Sequence, residues 1–522
     1  MTSLREFWKS FKRLFKEEDR EIQPVPTETA QKTIKQDAPT FIKSEKAISL
    51  QIPTSSLETV PTPLIRIKRD KVHIQVGLDF GTSCSKIMYR QIGRRQARVI
   101  NFQHDLPNFP QYCFPSVASV NDHGHLLFGV EAAKWLLTKE WDYGLQRFKV
   151  IVAGKQNEAF RDPVTEENFN NYCGHHNLFD VLTPERVTAI YLAYAMTKTR
   201  QIIEQYPEYK NVELDIAFNI GMPIDYIENN AVRLKFENAF SWAEAIERKW
   251  QMNRKNFDPL QASYDLENVA EPHNIRVFAV PEAVASMASY LISLRKQEGL
   301  HALIDFGSGT TDVSICNLFL TFGETNSYWY AARNIPKGTI IIERLIASYL
   351  KDSYGKSLCT CSDVVNYLNM FAESPSKAKR KADESLVLNS DILKEIKSLK
   401  DSTDYYQTWG AAYKQHLTKE SSWEKVEVFV CGGGARLPYI EEVFSTPWWD
   451  KLKVKYPVSH LPVPDDYRDD KSGAPFDRMT VAYGLTLPVP ELEKFVLPSA
   501  APNHTPPIVR APDRDRDDLY PK

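Results

Sequence analysis

GLDFGTSCSK, Gly77 to Lys86, and LIDFGSGTTD, Leu303 to Asp312, are two versions of one pattern: an apolar run delivers an aspartate, Phe-Gly follows, and a hydroxyl-rich turn comes next. A strand ending this way sets a carboxylate beside a tight turn whose successive backbone N–H groups point at one anion, and glycine lets the chain come close. Gly81, Thr82, Ser83 and Cys84 are therefore candidates to cradle one set of phosphates, and Gly307, Ser308, Gly309 and Thr310 to cradle another from the opposite side. Asp79 and Asp305 would then hold Mg²⁺, largely through its waters, because that ion keeps much of its hydration shell and takes one or two carboxylates. A single copy would be an ordinary hairpin turn; the duplication suggests two similar lobes facing one another.

A third glycine-rich element follows a strand and precedes a helix in VEVFVCGGGARLPYIEEVF, Val426 to Phe444. Gly432, Gly433 and Gly434 permit a flat aromatic ring to lie against bare backbone, and Arg436 is placed to stack on or flank it. Two other nucleotide motifs are excluded. No G-x-G-x-x-G follows a first strand, and Gly355-Lys356-Ser357 is no Walker A motif, since Leu350 stands where its first glycine is required.

Around these elements the sequence has the pattern of a compact α/β protein from about His73 to Pro488, with short β-rich runs ending in Gly alternating with helical stretches such as residues 186–205 and 282–297. Its 522 residues, 43% hydrophobic and 11% aromatic, suffice for more than one lobe. Lys and Arg number 65 against 67 Asp and Glu, so no basic excess points to nucleic acid. The odd count of 7 cysteines, without framework spacing, fits a reducing, cytoplasmic compartment. No apolar run approaches a membrane-spanning length, and no secretory signal opens the chain.

Taken together, GLDFGTSCSK, LIDFGSGTTDVS and VFVCGGGARLP resemble the phosphate-1, phosphate-2 and adenosine motifs of the superfamily containing actin, sugar kinases and heat-shock ATPases. FPSVASV, FGVEAAK, VFAVPEAVASMASYL and TVAYGLTLP look like segments of the ATPase domain of DnaK-type (70-kDa) heat-shock chaperones, so the resemblance covers roughly residues 73–488. It implies a two-lobed actin-like ATPase fold of duplicated ribonuclease-H-like domains, with ATP and Mg²⁺ in the cleft between lobes at 71–298 and 299–488. Asp79 and Asp305 would organise the metal; Thr82, Ser83, Gly307, Gly309 and Thr310 would contact phosphates; Gly432, Gly433 and Arg436 would contact adenosine. Lys149 in QRFKVIVAG resembles the lysine that approaches the γ-phosphate, Glu282 a residue that orients water, and Asp312 an aspartate near the metal waters. The implied activity is a Mg-dependent ATPase working as a nucleotide-driven switch on an unidentified protein partner. The chain leaves no room for the peptide-binding domain and lid of a complete chaperone. The alternatives are a membrane-tethered actin-like filament protein and a low-turnover nucleotide-binding scaffold; sugar kinase activity has no substrate motif to support it.

Residues 3–17 place Leu4, Phe7, Trp8, Phe11, Leu14 and Phe15 at helical spacing among basic residues, with Ser3 and Glu6 forming a capping box. This amphipathic helix at 1–17 would dock on an anionic membrane surface, at the inner face, or on a partner protein. A flexible linker is expected at 18–70 and a disordered Pro-rich tail at 489–522. Cys173, His175, His176, Cys359 and Cys361 miss the usual zinc spacings. Cys84 is taken as a small packing residue, the alternative being a thiol through which oxidation reaches the turn. Trp448-Trp449 and Tyr328-Trp329-Tyr330 are taken as packing, and the runs RIKRD and SKAKRKAD as solvated loop.

Overall fold

Alternating apolar side chains bury one face of the first strand, β1 (Lys71–Asp79), where Ile74, Val76 and Leu78 are inaccessible to solvent, and the strand ends on Asp79. The chain then reverses through β2 (Cys84–Gln91) and β3 (Ala97–Val99), and short β4 (Cys113–Pro115), β5 (Val117–Val120) and β6 (Leu126–Phe128) lead to α1 (Gly129–Thr138), β7 (Gly144–Gln146) and α2 (Phe148–Val152). Helices α3 (Pro184–Gln205) and α4 (Asn230–Asn253) flank β8 (Glu213–Met222), and β9 (Val277–Pro281) runs directly into α5 (Glu282–Leu291). Thr183 caps α3 by accepting the Arg186 N–H at 3.2 Å, with Pro184 at the first helical position. The second half repeats the start with β10 (Gly299–Phe306), β11 (Thr311–Thr321) and β12 (Glu324–Ile335). It continues through α6 (Ile340–Tyr354), α7 (Leu386–Lys400), α8 (Thr403–Gln415), β13 (Glu427–Cys431), α9 (Ile440–Ser445), β14 (Val458–His460), β15 (Tyr467–Arg468), α10 (Thr480–Leu485) and β16 (Lys494–Val496). The computed structural model describes residues 70–107, 109–138, 144–154, 183–253, 262, 277–321, 324–354, 386–415, 420–488, 492 and 494–501. The readings made for residues 1–69, for the five Cys and His residues weighed as a zinc site and for SKAKRKAD lie outside them.

The molecule is mixed α/β, and its two larger sheets share a strand order. One runs β3-β2-β1-β8-β9, the other β12-β11-β10-β13-β14. In each, two antiparallel pairings lie on one side of the leading strand and two parallel pairings on the other. A three-stranded sheet, β6-β5-β7, sits beside the first. Both large sheets belong to one compact unit beginning at Ile67.

Three apolar clusters account for most of the core. One packs β1, β2 and β8 against α3 and α4, and another packs β10 to β13 against α6 to α9. The third joins the sheets: Ala283, Ala285 and Met287 of α5 and Val481, Ala482 and Leu485 of α10 meet Met88 and Val99 from one sheet and Leu303, Cys316 and Phe429 from the other. The crossing of α5 and α10 is tight enough that a Cβ on Gly484 would collide with the Ala285 carbonyl.

After β14 the chain returns to the first sheet. Tyr467–Arg468 pairs with β3, Arg90 Nη1 donates to Asp466 Oδ2 at 2.6 Å, and Asn219 Nδ2 donates to the Leu485 and Leu487 carbonyls at 2.9 and 3.2 Å. A strand from the expected 299–488 segment thus pairs at the edge of the first sheet. Within the stretch expected to be a disordered tail, Lys494–Val496 instead forms a strand parallel to β12, where Tyr328 lies opposite Val496. Among the described residues no helix is long and apolar enough to cross a membrane.

Candidate functional site

Equal strand order carries the two Asp-Phe-Gly turns to equivalent places, the β1–β2 and β10–β11 junctions. There they meet. Ser83 Oγ and Ser308 Oγ are in hydrogen-bond contact, and the α-carbon of Gly309 faces Thr82 so closely that a Cβ would come within 2.6 Å of its methyl group. Each turn is fixed by a neighbour. Ser116 donates its N–H to the Ser83 carbonyl at 2.9 Å and its hydroxyl to the Gly81 carbonyl at 2.8 Å, while the Thr339 and Ile340 N–H groups donate to the Gly307 and Ser308 carbonyls at 3.0 Å each. The Gly81 and Gly307 N–H groups bond within their own turns, to Asp79 O at 3.1 Å and to Asp305 O and Thr310 O at 3.2 and 3.0 Å.

A cavity of about 270 Å³ opens between the turns. It gathers Asp79, Gly81, Thr82, Ser83, Cys84, Lys149, Glu282, Asp305, Gly307, Ser308, Thr310, Asp312, Gly432, Gly433 and Arg436, all singled out from the sequence. Gly309 and Gly434 do not line it. Gly309 packs on Thr82, and Gly434 packs against the Phe306 ring, where a Cβ would lie 2.7 Å away, with its N–H donating to the Phe306 carbonyl at 2.8 Å. Gly432, at φ 88°, bonds through its N–H to the Asp477 carbonyl at 2.9 Å, and a Cβ there would collide with the Asp305 carboxylate. Arg436 stands at the rim, its Nε donating to Asp477 Oδ2 at 2.7 Å; His460 Nδ1 lies 2.9 Å from the other carboxylate oxygen. Against the effect of burial, His460 and Arg436 hold the Asp477 carboxyl below its ordinary value.

Around the two turns the carboxylates Asp79, Asp305, Asp312 and Glu282 stand with Lys86 and Lys149, and the lining also carries Glu343 and Asp477 with Arg147, Arg436 and Arg478. Lys86 Nζ lies 2.9 Å from Asp79 Oδ2, and Lys149 Nζ lies 2.8 Å from Glu282 Oε1. Burial disfavours both ammonium groups, but Asp79 outweighs it at Lys86 and Glu282, with Asp79, at Lys149, so both hold their protons more tightly than a free lysine. Burial raises Glu282 despite its lysine. Loss of water contact, together with the charge of Asp79, pushes Asp305 up to about 7. The same loss, with the charge of Glu282, pushes Asp312 up to about 8, although Asn334 Nδ2 donates to both its oxygens at 2.9 and 3.1 Å. Asp305 and Asp312 face one another across the β10–β11 pairing.

The sequence reading missed Lys86, Thr339, Glu343, Asp477 and Arg478, which also line the cavity. Lys86 had a signal: it is the one charge among the buried residues Cys84 to Tyr89, and it follows Asp79 by the same spacing as Asp312 follows Asp305. Asp477 and Arg478 had none, since they arrive by the return of the chain to the first sheet. Compared with known proteins, the sequence matches no protein-family model and no curated protein. Functional inference therefore rests on the cavity.

Proposed function

We propose that the chain is a Mg²⁺-dependent ATP-binding protein and ATPase of the actin-like superfamily, nearest to the ATPase domains of DnaK-type heat-shock chaperones, in which nucleotide controls the approach of two ribonuclease-H-like lobes. One observation carries this reading: two copies of the same turn, at equivalent junctions of two sheets with the same strand order, face each other across one cavity that also holds Gly432, Gly433 and Arg436. A triphosphate between the turns meets hydroxyls from both, Thr82 and Ser83 on one side and Ser308 and Thr310 on the other, and the base lies on the glycine floor beside Arg436.

The residues present fit a hydrated Mg²⁺. Asp79 and Asp305 both line the cavity, and one or two carboxylates with phosphate oxygens are what that ion takes. Burial, with Asp79 and Glu282 nearby, raises the Asp305 and Asp312 carboxyls, and a divalent cation beside them would offset that cost. Asp79 and Asp305 would hold the ion, which supplies charge neutralisation for the phosphates.

In hydrolysis a water oxygen attacks the γ-phosphorus and the bond to the β-phosphate oxygen breaks. Lys149 places its positive charge where negative charge grows on the γ-phosphoryl group, and Glu282, at the start of α5, orients the water and takes its proton. Their 2.8 Å contact supports turnover over a passive scaffold, because the pair holds an acid-base group and a cation in one place. The Ser83–Ser308 contact must part to admit phosphate, which couples nucleotide entry to the separation of the two sheets. Phosphate release from ATP tests the reading: Asp79→Asn and Asp305→Asn should abolish it at saturating ATP, and wild-type rates in both variants would remove the mechanism.

A further inference from the structure

One cluster in the cavity wall takes no part in the chemistry above. Arg478 ends the 3₁₀ turn Phe476–Arg478 before α10 and lies over the Tyr112 ring, 5.4 Å from its centroid, with Nη1 donating to the phenol oxygen at 3.1 Å. Its Nη2 is 4.0 Å from Cys84 Sγ and 3.7 Å from Cys113 Sγ, and its buried Nε has no hydrogen-bond partner. Burial opposes the charged guanidinium, and Cys113, Tyr112 and Cys84 favour it. A partly buried cation favours an anion beside it, and two sulfurs are within reach.

The two sulfurs are not equivalent. Cys84 lines the cavity and Cys113 does not. The charged and titratable groups facing Cys84 are Asp79 from β1, Lys86 from its own strand, Cys113 from β4, Tyr191 from α3 and Arg478 before α10. The neighbouring Cys113 lowers the Cys84 thiol against its burial, helped by Lys86 and Arg478. Burial raises Cys113, Cys316 and Cys431 above the ordinary thiol range.

We propose that Cys84 is a nucleophilic thiolate at the cavity wall and a modification site for small soft electrophiles that enter the cavity, hydroperoxides in particular. Its sulfur attacks the distal peroxide oxygen; an S–O bond forms, the O–O bond breaks, and the departing oxygen takes the electron pair and then a proton from water. The products are a Cys84 sulfenic acid, oxidised by two electrons, and an alcohol or water. The β2–β4 register sets Cys84 opposite Pro115 and Cys113 opposite Lys86, so the two cysteines lie on a diagonal of the strand pair. The sulfenic acid replaces the anion beside Arg478 with a neutral, larger group in the first turn. On the nucleotide reading, to which this last consequence alone is tied, ATP binding weakens.

The test is alkylation of the full-length protein by iodoacetamide without nucleotide, followed by peptide mass mapping. At about neutral pH, Cys84 should react at least about tenfold faster than Cys113, Cys316 and Cys431, with a rate that levels off above about pH 7. Hydrogen peroxide with dimedone should leave the dimedone adduct on Cys84. Arg478→Gln should move the levelling-off toward an ordinary thiol, and the wild-type profile decides the matter even where that variant does not fold. The proposal is overturned by a Cys84 rate no faster than that of Cys316 in the folded protein, or by a rate still climbing at about pH 8.5. Added MgATP should slow Cys84 alkylation; selective labelling without such slowing would count against nucleotide in the cavity and leave the thiolate standing.

Discussion

The two Asp-Phe-Gly turns part company at one cross-strand position. In the first, Asp79 faces Lys86 and the two form an ion pair at 2.9 Å; in the second, Asp305 faces Asp312, and both carboxyls are driven upward, to about 7 and about 8. The backbone repeats, and the charge inverts. On the proposed reading the first turn brings to the shared ion an aspartate already paired with a lysine, and the second brings one beside a further acid. Two turns of one pattern thus differ in charge through a single change of cross-strand partner.

That contrast can be broken on the Lys86 side first. Lys86→Asp would give the first turn the second turn's acid pair and leave Asp79 without its cation. A loss of about 3–5 kcal/mol in denaturant unfolding is expected, as for one partner removed from a buried ion pair. The exchange Asp79→Lys with Lys86→Asp should recover most of that stability without recovering hydrolysis, since the carboxylate then points from the other strand. Recovery of both would show that the position of the acid is immaterial.

Next in size, Glu282→Gln and Lys149→Met should each lower single-turnover hydrolysis by about 10²-fold, with nucleotide affinity changed far less. A loss confined to affinity would assign the pair to binding. Gly432→Ala follows, with a cost of about 2 kcal/mol from its positive φ and its approach to Asp305. The neighbouring Gly433→Ala, whose nearest neighbour is an Arg478 nitrogen 3.9 Å away, should cost under about 1 kcal/mol in thermal or denaturant unfolding.

The smallest effect concerns pH. Asp305 and Asp312 bind protons more tightly folded than unfolded, so their contribution to stability is complete below the ordinary carboxyl range and is lost as pH rises through about 7 to 8. Calorimetric melting without Mg²⁺ should therefore fall by a few degrees between about pH 6 and pH 8.5, and millimolar Mg²⁺ should restore it at the upper end. Asp312→Asn should flatten this dependence. A melting point that rises with pH over that interval would contradict the acid-pair account.

Much of this contrast was legible in the sequence, because the repeat is local: ten residues specify strand, aspartate, turn and return strand, and their final letters, Lys86 and Asp312, already differ. The glycine floor was legible for the same reason. What escaped arrived over long distance with no motif to mark it. Arg478 and Asp477 reach the cavity only because the chain crosses back to the first sheet after β14, and Thr339 buttresses the second turn from a loop with no distinctive composition. Lys494–Val496 pairs with β12 although its Pro-rich surroundings signal no strand, its three residues being held by an edge already formed.

Calorimetric titration of the protein with ATP, in the presence and absence of Mg²⁺, decides whether the cavity is a nucleotide site. One binding site per chain is expected, saturable in Mg²⁺, weakened at least about tenfold by chelation and lost in Asp305→Asn. Absence of binding up to millimolar MgATP in the folded wild-type protein, or binding indifferent to both Mg²⁺ and Asp305, would contradict it.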